Sequence, residues 1–481
     1  MAPVPDEWKN EHNEGELYAA CMYNLGNWWE VFDDPVLSYL EEYAIESNNN
    51  LWAALEKIVQ ARAVALENKS YLYPQVNFAP SMTRYGMLFL NPLSQSIGSG
   101  QSGAATAAGS ASSGAGAPAA ATTPAAPNIS SLLGSIPSIF RVKESQYELP
   151  FNMSYELDIW SKLQSAYDAS YYQYEATIDD YINVYMTMTA DVATNYFILR
   201  NLDAQQDILE RTIGSRQKGY DINLTRYNAG IIADLDVANA EVELARAQAD
   251  NIDIRRQRLL QENIIATLIG TPASEFSLER NPLAEGPPAI PTILPSELLR
   301  RRPDIAAAER QLAASYANIE VAYAAFFPSV NLNAALGLES PFAHLLFDWK
   351  ARLWQVGVSA MQSVFDGGYR SANLEYMRSA FRQAYANYEE SVLQGFKDVE
   401  DALVTIKEKG AQYNALTRAV KAAGTTLNLS QERYDHGLIN YLNVVDAERT
   451  LLEVEQTHIQ SLGDQYTGTI NLIRAMGGCW N

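Results

Sequence analysis

From Tyr147 to Ile159 apolar and polar residues alternate without a break. Tyr147, Leu149, Phe151, Met153, Tyr155, Leu157 and Ile159 hold the odd positions. Glu148, Pro150, Asn152, Ser154, Glu156 and Asp158 lie between them. A period of two predicts a strand with one apolar face. Shorter copies run through Val76–Thr83, Val330–Glu339 and Trp354–Met361. Together they predict four strands in two hairpins. A sheet over a soluble core is the ordinary home of such strands. Their length and terminal aromatics (Tyr73, Tyr147, Trp160, Trp354) point instead to a wall facing lipid.

The helical signal is of another kind. From about Leu163 to Tyr227, and again from Tyr369 to Tyr434, there is no Pro and little Gly. Each run would be a helix of roughly 100 Å, far longer than globular helices. The second run spaces Val392, Phe396, Val399, Leu403 and Ile406 as a coiled-coil seam, continued by Tyr413, Val420 and Leu427. Each ends at a Gly-containing turn, Asn228-Ala229-Gly230 or Asp435-His436-Gly437, and a return helix follows, 235–269 and 441–476.

The two halves are copies. Arg226–Glu241 matches Arg433–Glu448 at eight of sixteen positions, and Tyr73–Phe78 matches Phe327–Leu332 more weakly. The predicted order is an extended N-terminal segment (1–36), a first repeat (37–270), a Pro-rich linker (271–303), a second repeat (304–476) and a tail (477–481). The first repeat holds a β-hairpin at 72–160, interrupted by a Gly-, Ser-, Ala- and Pro-rich loop at 93–145, and a helical tip near 228–233. The second holds a β-hairpin at 328–365 and a tip near 435–440.

Composition narrows the function. A net charge of −22 argues against nucleic acid as partner. No apolar run is long enough for a transmembrane helix, whereas a barrel strand needs only about 9–11 alternating residues. Met1–Asp6 does not read as a signal peptide: either the protein is cytosolic, or the chain is a mature form with a new start Met. Cys21 and Cys479 read as a free pair, a disulfide joining the two ends being the alternative. The GxGxxG at Gly98–Gly103 lies in low-complexity sequence without a βαβ context and carries no cofactor signal. The four histidines lack metal-ligand spacing, and no catalytic constellation stands out. The expectations are no enzyme activity, no cofactor and no metal.

Four strands in two hairpins leave their edges open, so closure between chains is the economical solution. Three chains would give twelve strands, although the pattern does not fix the number three. Glu148, Glu156, Asp158 and Glu339 would then make the lumen acidic.

The residues that complete the picture are Trp28-Trp29-Glu30-Val31-Phe32-Asp33-Asp34-Pro35, Leu298–Ile305 running on through Ala324–Val330, Arg433-Tyr434 through Asp446-Ala447-Glu448-Arg449, and the ending Met476–Trp480. Over nearly its whole length the chain closely resembles the outer-membrane factor (TolC-like) family, in its NodT/OprM-like lipoprotein branch. The resemblance implies a mixed α and β homotrimer. It would have a twelve-stranded transmembrane β-barrel in the outer membrane, a long α-helical coiled-coil barrel in the periplasm and an equatorial collar to which the N-terminal segment (1–36) and the linker (271–303) belong. It implies a passive exit duct of a tripartite efflux system, opened at its periplasmic tip by an adaptor and an inner-membrane pump, most often of the RND type. The sequence departs from the branch in lacking the acylated Cys, which implies that the native signal and lipid-anchor Cys were trimmed, in its long 93–145 loop, and in Cys479, where Gly is usual.

By resemblance, Asp236 and Tyr434 hold the positions of an inter-helix hydrogen-bond lock; the bland reading of Tyr434 is a helix-end cap. Leu442 and Asp446, one turn apart, would form an apolar and a charged ring in a trimer. Arg449 would pair with Asp446, and Asn443 stands where some relatives carry an acid. The bland reading of these four is a solvated helix face with one ion pair. Asn228, Gly230, Asp435 and Gly437 at the tips are the expected adaptor contacts. The rival function is a surface-anchored structural or adhesive trimer on a coiled-coil stalk; a soluble enzyme with a helical domain is the third.

Overall fold

A computed structural model describes residues 27–90, 139–283, 286–290, 299 and 301–478. The chain divides into a helical unit (to residue 72, 158–327 and from 362) and a sheet unit (73–157 and 328–361). Cys21, Cys479 and most of the 93–145 loop lie outside the described residues.

The sheet unit holds β1 (Gln75–Phe78), β2 (Ser81–Leu90), β3 (Ile139–Leu157), β4 (Ser329–Ser340) and β5 (Arg352–Met361). All pairings are antiparallel, in the order β1/β2, β3, β4, β5. β1 and β2 are one strand interrupted at Ala79-Pro80, because Pro has no N–H to give the ladder. The register runs through the break unchanged: Phe78 faces Phe151 and Ser81 faces Glu148. The expected four strands are therefore present, with the first broken. β3 begins at Ile139, so residues 139–145, read as loop from composition, are strand. Opposite Pro150 sits Gly337, where a Cβ would lie 2.3 Å from the Leu149 carbonyl oxygen.

The two faces differ completely. Phe78, Phe151, Leu336 and Trp354 form one cross-strand row of large apolar side chains, and all four are exposed. The register puts Asn77, Asn152, Ala335 and Gln355 in the adjacent row on the other face. Neither β1/β2 nor β5 pairs on its outer edge among the described residues.

The helical unit contains α1 (Pro35–Ser47), α2 (Asn49–Ser70), α3 (Lys162–Asn228), α4 (Asp234–Leu268), α5 (Pro303–Ala324), α6 (Tyr369–Asp435) and α7 (Tyr441–Ala475). The repeat is exact in length: α2 and α5 have 22 residues each, α3 and α6 67, α4 and α7 35. α1 starts where Pro35 occupies the first turn and the Asp34 carboxylate accepts from the Val36 and Leu37 amides. Both tips close alike. Gly230 (φ 71°) and Gly437 (φ 70°) take the left-handed conformation. Ile231 N–H reaches the Arg226 carbonyl, and Leu438 N–H the Arg433 carbonyl.

Three cores hold the unit. In the largest, Trp28, Trp29, Leu37 and Leu40 pack against Tyr196 and Phe197 of α3, Ile265 of α4 and Leu462 of α7. Phe197 stacks on Tyr466 at 4.3 Å, and the Tyr196 hydroxyl donates to Asp34 at 2.5 Å. The second is the predicted seam: Val392, Phe396, Val399 and Leu403 of α6 close on Ile305 and Leu472. The third, at the tips, joins Ala240, Tyr434, Tyr441, Val444 and Val445.

The linker is fastened by charge. Arg258 of α4 is nearly buried and bonds Asp203 at 2.6 Å, Glu262 at 2.7 Å and the Leu278 carbonyl at 2.7 Å. Asp203 also accepts from Arg200 and from the Asn281 amide. Each charge is compensated, as burial demands. At the start of α5, Arg302 bridges Asp304 and Asp398 and donates to the Ala475 carbonyl.

Candidate functional site at the hairpin tips

Tyr434, on the last turn of α6, points across to α3. Its hydroxyl donates to the Asn223 side-chain oxygen at 2.7 Å, and both residues are buried. The Arg226 guanidinium lies 4.9 Å over the ring and reaches Asp435 at 3.2 Å. Burial raises the Tyr434 pKa, with Arg226 opposing the shift. The hydroxyl bond expected to run to Asp236 thus goes to Asn223 within this chain. Asp236, half-buried in the first turn of α4, lies near enough for its charge to raise the Tyr434 pKa, but it accepts no hydrogen bond from the hydroxyl.

On α7, Tyr441, Val444 and Val445 are buried while Leu442, Asn443, Asp446 and Arg449 are exposed. Leu442, Asp446 and Arg449 therefore form an outward stripe at i, i+4 and i+7 along one helix face, with Asn443 exposed beside it, about 100° round the helix. Arg449 reaches Asp446 at 3.9 Å, but its main partner is Glu243 of α4. That contact holds the Glu243 pKa below the usual carboxylate range.

Beneath this stripe lies a charge cluster that spacing alone did not reveal. Arg216 of α3, 2% exposed, donates to the Glu243 carbonyl at 2.8 Å. It also lies 3.4 Å from the Glu243 carboxylate and 3.7 Å from that of Glu448. Glu448 accepts from Ser215 at 3.2 Å. Burial raises the pKa of Glu448 and pushes Tyr441 up to about 12. Arg216, Tyr220 and Asn223 stand four and three apart along α3, the spacing of a seam. Polar residues in seam positions were the available signal.

Asn228, Gly230, Asp435 and Gly437 are all exposed at the tips, and Asp435 is engaged by Arg226. Ile231 and Leu235 on the first tip correspond in the repeat to Leu438 and Leu442 on the second, and all four are exposed. In the sheet, the register places Glu148 opposite Glu339, with Glu156 further along the same polar face. Glu144 joins them and accepts from Tyr85 at 2.9 Å. Asp158 does not belong to this face. It lies past the end of β3 and caps α3, accepting from the Leu163 and Gln164 amides.

The model of the outer membrane efflux protein family matches residues 40–271 and 294–478. The chain belongs to that family. It is 29% identical to the toluene efflux pump outer membrane protein TtgF of Pseudomonas putida, over all of this chain and 92% of that one. To the cation efflux system protein CusC of Escherichia coli O157:H7 it is 27% identical, over 99% and 93%. Among solved structures it superposes on the outer-membrane channel OprN with a TM-score of 0.81 at 26% identity, covering 99% and 98%. The open-state MtrE channel of Neisseria gonorrhoeae gives 0.78 at 25%, covering 99% and 96%. This family member is an outer-membrane efflux channel protein, with a fold of mixed helix and sheet. No helix among its described residues is long and apolar enough to cross a membrane.

Proposed function

We propose that this chain is one of three identical subunits of a passive exit duct. Their four-stranded sheets join edge to edge in the outer membrane as a twelve-stranded barrel. Their helical units form a periplasmic tube that an adaptor and an inner-membrane pump open at the hairpin tips. The row Phe78–Phe151–Leu336–Trp354 carries the reading: it is apolar, exposed, and backed by a polar face. Such a row is stable against hydrocarbon, with water on the opposite side. The open edges at β1/β2 and β5 supply the joints.

In the closed duct, Leu442, Asn443 and Asp446 ring the aperture, and Arg449 steadies the ring from behind through Glu243. The exposed residues Asn228, Gly230, Asp435 and Gly437 meet the adaptor, flanked by the matched apolar pairs Ile231/Leu438 and Leu235/Leu442. Glu148, Glu156 and Glu339 make the outer lumen acidic and favour cations at its mouth.

The test is reconstitution. Purified in detergent, the protein should form a particle of three times the 53.3 kDa of one chain. In a planar bilayer it should conduct in discrete steps. A detergent-indifferent monomer without conductance would sink the proposal.

A further inference from the structure

The Arg216 cluster asks why a guanidinium should be buried between two carboxylates on different helices. Arg216 and Glu243 both belong to the first hairpin, on α3 and α4, whereas Glu448 and Arg449 belong to α7 of the second. Within this cluster two ion pairs therefore cross between the hairpins: Arg216 to Glu448 at 3.7 Å, and Arg449 to Glu243. A third, Arg216 to Glu243 at 3.4 Å, stays within the first hairpin and is reinforced by the 2.8 Å bond to the Glu243 carbonyl.

That layout has a physical consequence. Arg cannot shed its proton, and a buried charge without a partner is strongly unfavourable. When α7 moves away, Arg216 and Glu243 keep each other, while Glu448 and Arg449 pass into water. No unpaired charge is left buried on either side. Gly219, one turn along α3, makes room for the moving helix to seat: a Cβ there would lie 3.2 Å from the Tyr441 hydroxyl.

We infer that Arg216 is a positioning residue for gating, a releasable brace that holds the second hairpin closed through Glu448 while Glu243 keeps it paired on opening. The inference rests on the duct reading above and adds to it a residue away from the aperture stripe. It differs from the Tyr434–Asn223 bond, which acts at the tip itself and carries no charge.

Single-channel recording of the full-length protein in planar bilayers tests the brace. Glu448→Gln keeps the shape and removes the charge, so open probability should rise roughly tenfold at unchanged single-channel conductance. Arg216→Lys keeps the charge but loses the two-sided reach of the guanidinium, and should raise open probability less. A merely structural role would lower thermal stability without moving open probability. If both variants assemble and gate like the parent, the brace is wrong. If Glu448→Gln fails to assemble, Arg216→Lys decides alone: parent-like gating overturns the brace. The duct reading fails separately, by absence of conductance in the parent protein.

Discussion

The two helical hairpins have the same lengths and the same tip geometry, yet they are held in different ways. In the first, 22 residues of α3 are buried, among them Arg200, Asp203, Arg216 and Asn223. In the second, only 8 residues of α6 are buried, chiefly the seam from Val392 to Leu403 and Tyr434 at the tip, and its burial shifts to α7, with 14 residues against the 10 of α4. Low burial marks the part of a fold that opens first. The first hairpin is thus the frame, fixed to the N-terminal tryptophans and the linker by apolar packing and compensated charge. The second is the leaf: its α6 lies open, its α7 shares the first core through Leu462 and Ile470, and near its tip one buried hydroxyl bond and three crossing ion pairs attach it to the frame. Duplication supplied two parts of equal length, and they diverged in which helix carries the burial.

The most severe way to break this contrast is to damage the frame. Asp203→Ala strips Arg200 and Arg258 of their shared carboxylate and should cost about 3–5 kcal/mol, read as a loss of thermal stability of the whole assembly. An equal loss from an exposed ion pair on the leaf, such as Lys397–Asp401, would show that frame and leaf do not differ.

A second lever on the frame is pH. Glu41 of α1 is fully buried against the first core and forms no ion pair among the described residues. Burial raises its pKa well above the ordinary carboxyl value, only partly offset by the Ala193 backbone. The folded protein holds the proton more tightly than the unfolded chain. Stability is therefore full below the ordinary carboxyl range and falls as pH rises towards the folded pKa. Glu41→Gln should melt higher than the parent at neutral pH, by about 1–3 kcal/mol of stability, and the gap should close near pH 4. A gap that does not narrow on acidification would refute the assignment.

Between leaf and frame, Asn223→Ala and Tyr434→Phe remove the same bond, worth about 0.5–1.5 kcal/mol. Each should favour opening, and the double variant should add little to either single one. Additive effects would mean that the two side chains act independently.

The mildest change is at the aperture. Asp446→Ala should leave stability within about 0.5 kcal/mol while raising conductance and weakening cation preference. Unchanged permeation would remove Asp446 from the ring.

Much of the fold was legible because the repeat and the two periodicities are local signals. The seam on α6 and the strand cores follow from spacing of 3.5 or 2 residues, and the tips from Gly230 and Gly437 at the ends of the two long runs. The start of β3 was hidden because its alternation changes sign: odd positions hold Arg141, Lys143 and Ser145 before Tyr147 and apolar residues after it. Asp158 was misread by extending that alternation past the strand end. At the tips, the exposed stripe from Leu442 to Arg449 could be read from one helix. The partner of Tyr434 could not, because Asn223 is 211 residues away and one-helix spacing does not say which neighbour is faced. Arg216 was hidden for the same reason, its carboxylates lying on two other helices.

The equal helix lengths also restrict how such a chain can evolve. An added residue lengthens a helix by about 1.5 Å and turns everything beyond it by about 100°. A single insertion in α3 alone would leave one tip lower than the other and rotate Asn223 away from Tyr434. Change must therefore come in matched steps of seven in all four long helices, or be confined to the loops. Relatives should differ in tube length by whole heptads, and length polymorphism should collect beyond the strands.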